Sequence, residues 1–232
     1  TMTLTYSNVS DSDSIEKKLT YKSEIAFKKH HKTSSWFIDE FYFTQANVTN
    51  CKCKECSYYT INYTSTNILN IPIVKNKIDV TLYDYLNDYF GIETLDEWKC
   101  DKCPNKIGNT RQYRLMNCPK TLIIQLERFN KRIVRGRYAT VKLSKPIDFP
   151  FLLNMSEYKL INKNIENQYE LYGVVNHVGG STNSGHYYSY CKNIISSDDD
   201  QSWYELNDTS ISKIPTSQII NENAYMLFYR RL

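Results

Sequence analysis

Two cysteine pairs, Cys53-Lys54-Glu55-Cys56 and Cys100-Asp101-Lys102-Cys103, constrain this chain more than any other feature of its sequence. A two-residue gap lets both thiolates of a pair turn onto one ion, and two pairs complete a closed tetrahedral zinc site. Whatever lies between them must leave that point and return to it. Four thiolates leave no open coordination position, so the expected Zn2+, one per chain, is structural. Cys51 stands two residues before Cys53 and is left out of the expected set, because only C-x-x-C spacing matches the other pair. The cysteines number seven, an odd count with four in such pairs. A secreted disulfide framework predicts neither feature, and a reducing, intracellular compartment fits better.

The segment between the pairs can fill that excursion. Tyr59, Ile61 and Tyr63 alternate with Thr60, Asn62 and Thr64, and the apolar Ile68, Leu69, Ile71, Ile73 and Val74 follow, interrupted by Pro72. This predicts a half-exposed antiparallel hairpin with its proline-bearing strand at an edge. Thr81 to Phe90 is the clearest helix. Thr81 can cap it with Asp84 as partner, and Leu82, Tyr85, Leu86, Tyr89 and Phe90 make one apolar stripe for the core. Gly91 is expected to close it as a left-handed cap.

The rest reads more briefly. Residues 1–13 are polar and expected to fray. Ser14 to Lys32 predicts one or two short helices, with His30 and His31 facing solvent, and Trp36, Phe37, Phe41 and Phe43 an aromatic cluster entering a strand. Thr121 to Leu126 reads as a strand buried on both faces. Arg128 to Arg137 follows as a solvated basic hairpin without the aromatic interleaving that nucleic-acid binding would need. Pro146 to Pro150 is a rigid edge segment, and 196–201 an acidic loop tip. Strands are expected at 169–177, 185–192, 202–207 and 224–230.

The chemistry concentrates in that last third. Tyr169 to Cys191 reads as two strands joined by a flexible loop of Gly, Ser, Thr and Asn. His186 stands at the mouth of the second strand, a suitable place for a proton-transferring imidazole held by a rigid sheet yet open to substrate. Gly185 is expected to admit another backbone closely, and His177 to pack the loop. In Trp203-Tyr204-Glu205-Leu206-Asn207-Asp208, either Asn207 or Asp208 could accept the Nδ1–H bond that orients the His186 ring; both cannot, because neighbouring strand side chains alternate.

The whole suits one large domain or two small ones, with a real core: hydrophobic residues make up 41% and aromatics 14% of 232 residues. A net charge of +4 is too small and too scattered to argue for nucleic acid. No apolar run approaches the ~20 residues that cross a bilayer, and no signal peptide is evident. A monomer is expected.

Four segments in order resemble the ubiquitin-specific proteases, the thiol deubiquitinases. They are the two C-x-x-C pairs, Cys118-Pro119-Lys120-Thr121-Leu122-Ile123-Ile124-Gln125-Leu126-Glu127-Arg128-Phe129, the 171–191 stretch, and WYELND with AYMLFYRR. The resemblance implies an α+β, predominantly antiparallel β, papain-like fold built of thumb, palm and fingers. It places a thumb remnant at 1–40, zinc-binding fingers at 41–118 and a palm at 119–232. It gives His186 the role of base and Asn207 the third triad position, with Asp208 adjacent, and ubiquitin or its conjugates as partner. The family's nucleophile box, G-L-x-N-x-G-N-T-C-Y, has no counterpart here, nor has Q-Q-D-A-x-E-F. Cys191 lies on the opposite face of the strand about 16 Å from His186, Cys118 precedes a proline, and Cys51 sits beside the knuckle. The sequence opens Thr1-Met2, as a cut piece would. This chain alone is therefore expected not to hydrolyse ubiquitin conjugates. A catalytically inactive ubiquitin-binding module is the other reading.

Overall fold

A computed structural model describes residues 14–31, 35–53, 58–73, 80–100, 102–104, 108–134, 137–163, 167–180, 184–194 and 202–232. The polar lead 1–13, Cys56, Val74 and the acidic tip 196–201 lie outside the described residues. Within the described residues, three sheets organise the chain. An eight-stranded sheet holds β3 (Leu69–Pro72), β6 (Thr121–Glu127), β9 (Leu152–Asn154), β10 (Gln168–Val178), β11 (His186–Lys192), β12 (Trp203–Asn207), β13 (Ser210–Ile214) and β14 (Ala224–Arg231), with spatial order β13-β12-β11-β10-β14-β6-β3 and β9 beside β10. Every pairing but β3–β6 is antiparallel. The fold is thus α+β and mostly antiparallel, as the resemblance implies.

The core lies on one face of this sheet. Helix α3 (Leu82–Tyr89) packs Leu82, Tyr85 and Leu86 into it. Its capping box forms, the Thr81 N–H donating to Asp84 Oδ2 at 2.8 Å and the Asp84 N–H to Thr81 Oγ1 at 3.3 Å. Gly91 is not left-handed. Its need is for close approach: a Cβ there would stand 3.0 Å from the Asn87 and Asp88 carbonyl oxygens. Leu122, Ile124 and Leu126 of β6 are all but fully buried, each contributing roughly 1.5–3 kcal/mol of transfer free energy.

The second sheet, order β2-β1-β5-β4, comprises β1 (Phe43–Asn50), β2 (Tyr59–Thr66), β4 (Glu93–Leu95) and β5 (Asn109–Leu115). Here one expectation fails. β2 does not form a hairpin with the Ile68–Ile73 segment; it pairs with β1, and the proline strand β3 joins the large sheet beside β6, at its edge as expected. The reason is the knuckle itself. The chain reverses there between β1 and β2, and the Cys51 N–H closes the reversal on the Tyr58 carbonyl at 2.8 Å. Alternation shows that β2 has two faces but not which strand lies beside it.

Two helices precede the sheets. α1 (Ile15–His30) is one helix rather than two, capped by Ser14. The aromatic run expected to enter a strand begins as α2 (Trp36–Phe41), capped by Ser35. His31 is not solvent-facing. It is half-buried between Phe27 and Tyr42, with Nε2 2.8 Å from Ser65 Oγ, and fastens the end of α1 to β2. Arg128 leaves the basic hairpin that runs through β7 (Phe129–Val134) and β8 (Arg137–Lys142), and is fully buried. Among the described residues no helix is long and apolar enough to cross a membrane.

Candidate active site and thiolate cluster

β10 and β11 pair from Gly173↔Cys191 to Val178↔His186, so His186 opens β11 at the end of the ladder. β11 and β12 pair only as far as Ser189↔Leu206. Beyond that the strands part, and the gap is bridged by side chains. His186 Nε2 lies 2.6 Å from Asn207 Oδ1. The amide is oriented by its other end, where Nδ2 donates to Glu205 Oε1 at 3.4 Å, so oxygen faces the ring. A carbonyl oxygen only accepts; the hydrogen therefore sits on Nε2 and the Nδ1 lone pair is free. The sequence suggests an orienting bond at Nδ1–H; the geometry assigns it to Nε2–H. His186 is exposed, so that lone pair is accessible.

Asp208 does not share this role. Asn207 pairs with Ser210 across a two-residue turn, and Asp208 occupies its first position with φ 52°. Asp tolerates that left-handed conformation better than most residues. Of the two candidates for orienting the ring, Asn207 meets it and Asp208 makes the turn.

The glycines at the loop base are steric requirements. A Cβ on Gly179, at φ 137°, would come within 2.8 Å of Gly185 Cα and the Ser184 carbonyl. A Cβ on Gly185 would come within 2.2 Å of His177 Nε2 and 2.7 Å of the Val178 carbonyl. Gly185 thus admits a side chain as well as the backbone the sequence suggested.

No thiol is hydrogen-bonded to His186 among the described residues. Cys191 is half-buried opposite Gly173. Cys118 is buried, which pushes its thiol up to about 11, against the pull of Lys159, the Tyr169 hydroxyl and Arg231. A thiol so hard to ionise is a poor nucleophile.

At the far end of the small sheet, Cys51, Cys100 and Cys103 bring their sulfurs within 4.8 Å of one another. Cys51 Sγ and Cys103 Sγ are 3.6 Å apart, close to the edge of about 3.8 Å that a tetrahedron with Zn–S near 2.3 Å requires. Backbone N–H groups support the sulfurs: Cys53 donates to Cys51 Sγ and Lys102 to Cys100 Sγ, each at 3.4 Å. The cluster therefore fits a thiophilic ion. Cys51, excluded on spacing, is inside it, while Cys53 is not part of the converging group and Cys56 lies outside the described residues. The reason is that Cys51 directly follows β1, at the end of the ladder that faces the opposite knuckle. Sequence reasoning also missed Asn109. This side chain is fully buried; its Oδ1 accepts from the Lys52 N–H at 3.0 Å and its Nδ2 donates to the Trp98 carbonyl at 2.9 Å, tying one knuckle to the other. A polar residue opening a strand after a glycine was the only local signal.

An imidazole mounted on a sheet, with one nitrogen tied to an asparagine amide, has the geometry that the base of a papain-like thiol hydrolase needs. A family model for the ubiquitin carboxyl-terminal hydrolases matches residues 11–229. The chain belongs to that family. Among its relatives is the probable ubiquitin carboxyl-terminal hydrolase R319 of Acanthamoeba polyphaga mimivirus, 31% identical over 92% of this chain and 45% of that protein. Another is ubiquitin carboxyl-terminal hydrolase 2 of Gallus gallus, 29% identical over 90% and 57%. A solved SAGA DUB module of Ubp8, Sgf11, Sus1 and Sgf73, bound to monoubiquitin, matches with a TM-score of 0.73 at 26% identity, over 93% of this chain and 46% of that one. The chain spans about half the length of these two curated relatives.

Proposed function

We propose that this chain supplies the base, its orienting amide and the zinc-held fingers of a deubiquitinase that cleaves after the terminal Gly of ubiquitin. The observation that carries the reading is the 2.6 Å bond between His186 and Asn207. With Nε2–H held by Asn207, Nδ1 takes the proton of a cysteine thiol as the sulfur attacks the Gly carbonyl carbon. The imidazolium then gives that proton to the departing amine, leaving an acyl-enzyme. Water, deprotonated by the same imidazole, releases ubiquitin and restores the thiol. We assign the thiol to sequence outside these 232 residues, since no described cysteine meets His186.

In the fingers, Cys51, Cys100 and Cys103 would hold a zinc ion, with the Cys53–Cys56 knuckle giving the fourth thiolate. The ion would supply structure only. A second reading, a ubiquitin-binding module without catalysis, draws on the same want, among the described residues, of a thiol beside His186.

Ubiquitin carrying an electrophile at its C-terminus separates the two readings when applied to this chain and to the full-length gene product. The enzyme reading expects the gene product to be labelled and the 232-residue chain not. His186→Ala should abolish labelling. Asn207→Ala should slow it roughly 10²-fold, whereas Asp208→Ala should leave it near the parent rate. Ubiquitin retention without labelling of the gene product would establish the binding module instead. Labelling of the shorter chain would overturn the assignment of the thiol.

A further inference from the structure

His177 is a histidine that the proposed reaction does not use. It is 2% exposed, and its backbone N–H donates to the Asn223 carbonyl at 2.9 Å. Its ring packs on Tyr187 at 4.6 Å between centroids, on Phe129 at 5.5 Å and on Tyr225 at 6.1 Å. The ring lies directly against Gly185, where even a methyl group would come within 2.2 Å of Nε2. Gly185 is the residue before His186. The seat of the loop is thus an imidazole, and the base stands one residue beyond it.

A packing role asks only for an aromatic ring, yet this ring can take a proton and is placed badly to do so. Its Nδ1 is buried with no hydrogen-bond partner among the described residues. The titratable groups facing it are Lys142 from β8, Tyr187 from β11 and Tyr225 from β14; Phe129 from β7 brings no charge. Lys142 donates its Nζ hydrogen to the His177 carbonyl and has Arg128 and the exposed Glu222 as its own charged neighbours. Burial, then Lys142, lowers the pKa of His177 from its ordinary value. A proton on the ring would place a second cation beside Lys142 and give Nδ1 a hydrogen with no acceptor, a costly state in a buried site.

We propose that His177 is a positioning residue for the His186–Asn207 pair: its uncharged ring seats Gly185 and so sets His186 within reach of Asn207, and protonation unseats the loop. The consequence for catalysis rests on the reading of His186 as the base; the geometric claim does not. The sign follows from linkage. A histidine whose folded pKa is lowered contributes stability that is complete above its ordinary pKa, near 6.5, and is lost as pH falls through the folded value.

The test needs no nucleophile and uses the 232-residue chain. Long-range 1H–15N spectra of its four histidines report the tautomer of His186. At about pH 7.5, above the ordinary histidine range, the parent should show the Nε2–H form at His186. His177→Ala should lose that bias, and His177→Phe, which restores a ring, should recover it. Amide exchange corrected for intrinsic rates provides the acid arm: protection at Gly185–Tyr187 should be lost as pH falls below about 6.5 in the parent and retained in His177→Phe. Unaltered His186 signals in His177→Ala would overturn the positioning role. Equal loss of protection in the parent and His177→Phe would overturn the proton's part, and that comparison stands even if His177→Ala does not fold. Ubiquitin-probe labelling of the gene product is independent of all these signals, so failure of the enzyme reading is recognised separately.

Discussion

Removing the zinc proposed for the Cys51, Cys100 and Cys103 cluster will melt the small sheet and leave the large one standing. Zinc held by thiolates contributes about 10–16 kcal/mol of apparent free energy in small zinc-binding peptides, as much as the roughly 5–15 kcal/mol that holds a whole domain. Apart from Phe43 and Leu115, whose side chains reach the main core, the small sheet has little else. Its own buried cluster is Ala46, Met116 and Ile161, with Leu19, Val48, Ile61, Tyr63 and Leu160 half-buried around it. The large sheet rests on the main core, which runs from Phe43 at the start of β1 and Tyr85 of α3 through Leu122, Ile124 and Leu126 to Tyr229. A chelator, or Cys103→Ser, should therefore produce an early transition confined to β1, β2, β4 and β5. The His186–Asn207 pair, on the other sheet, should keep its imidazole signals. Metal analysis should find one zinc per chain before treatment and none after. An undisturbed melting curve on metal removal would sink the structural role.

Replacing Arg128 with Met will cost roughly 3–5 kcal/mol, the penalty expected when a buried polar set loses the partner that satisfies it. Arg128 is 0% exposed. Its Nε donates to the Ala224 carbonyl at 2.6 Å, and its Nη1 to the Leu143 and Lys145 carbonyls at 3.0 and 2.8 Å. One guanidinium thus joins β14 to the segment leaving β8, at the point where the β7–β8 hairpin departs from the large sheet. Burial pulls its pKa down to about 10, opposed by Tyr85 and Glu222, so it remains a cation at neutral pH. Met fills the volume but leaves three carbonyls without that donor. Arg128→Lys should recover little, because a single ammonium lacks the planar fork that reaches all three. Denaturant unfolding of the zinc-loaded chain measures the difference, and a loss below about 1 kcal/mol would show the carbonyls satisfied some other way.

Arg128 also marks the limit of reading by neighbours. It heads a run of cations, and such a run predicts a solvated turn; its burial comes from strands that lie far along the chain. The β2 segment makes the same point. Its alternation is local and was legible, whereas its partner depended on where the knuckle turned the chain. Asn207 and Asp208 were equivalent candidates on the pattern of their own segment, and a single left-handed φ in the turn separated them.

What the residues determined unaided were the features whose causes span a few positions: the capped helix at 82–89, the buried strand at 121–127, the two strands around the glycine loop, and an imidazole at the mouth of the second. Steric and hydrogen-bonding preferences act over that range, so they leave a mark in the local pattern. Tertiary structure alone decided which nitrogen of His186 is held, which sulfurs converge, and what lies beneath Gly185. Those are distances between groups brought together by chain closure, and no local preference encodes them.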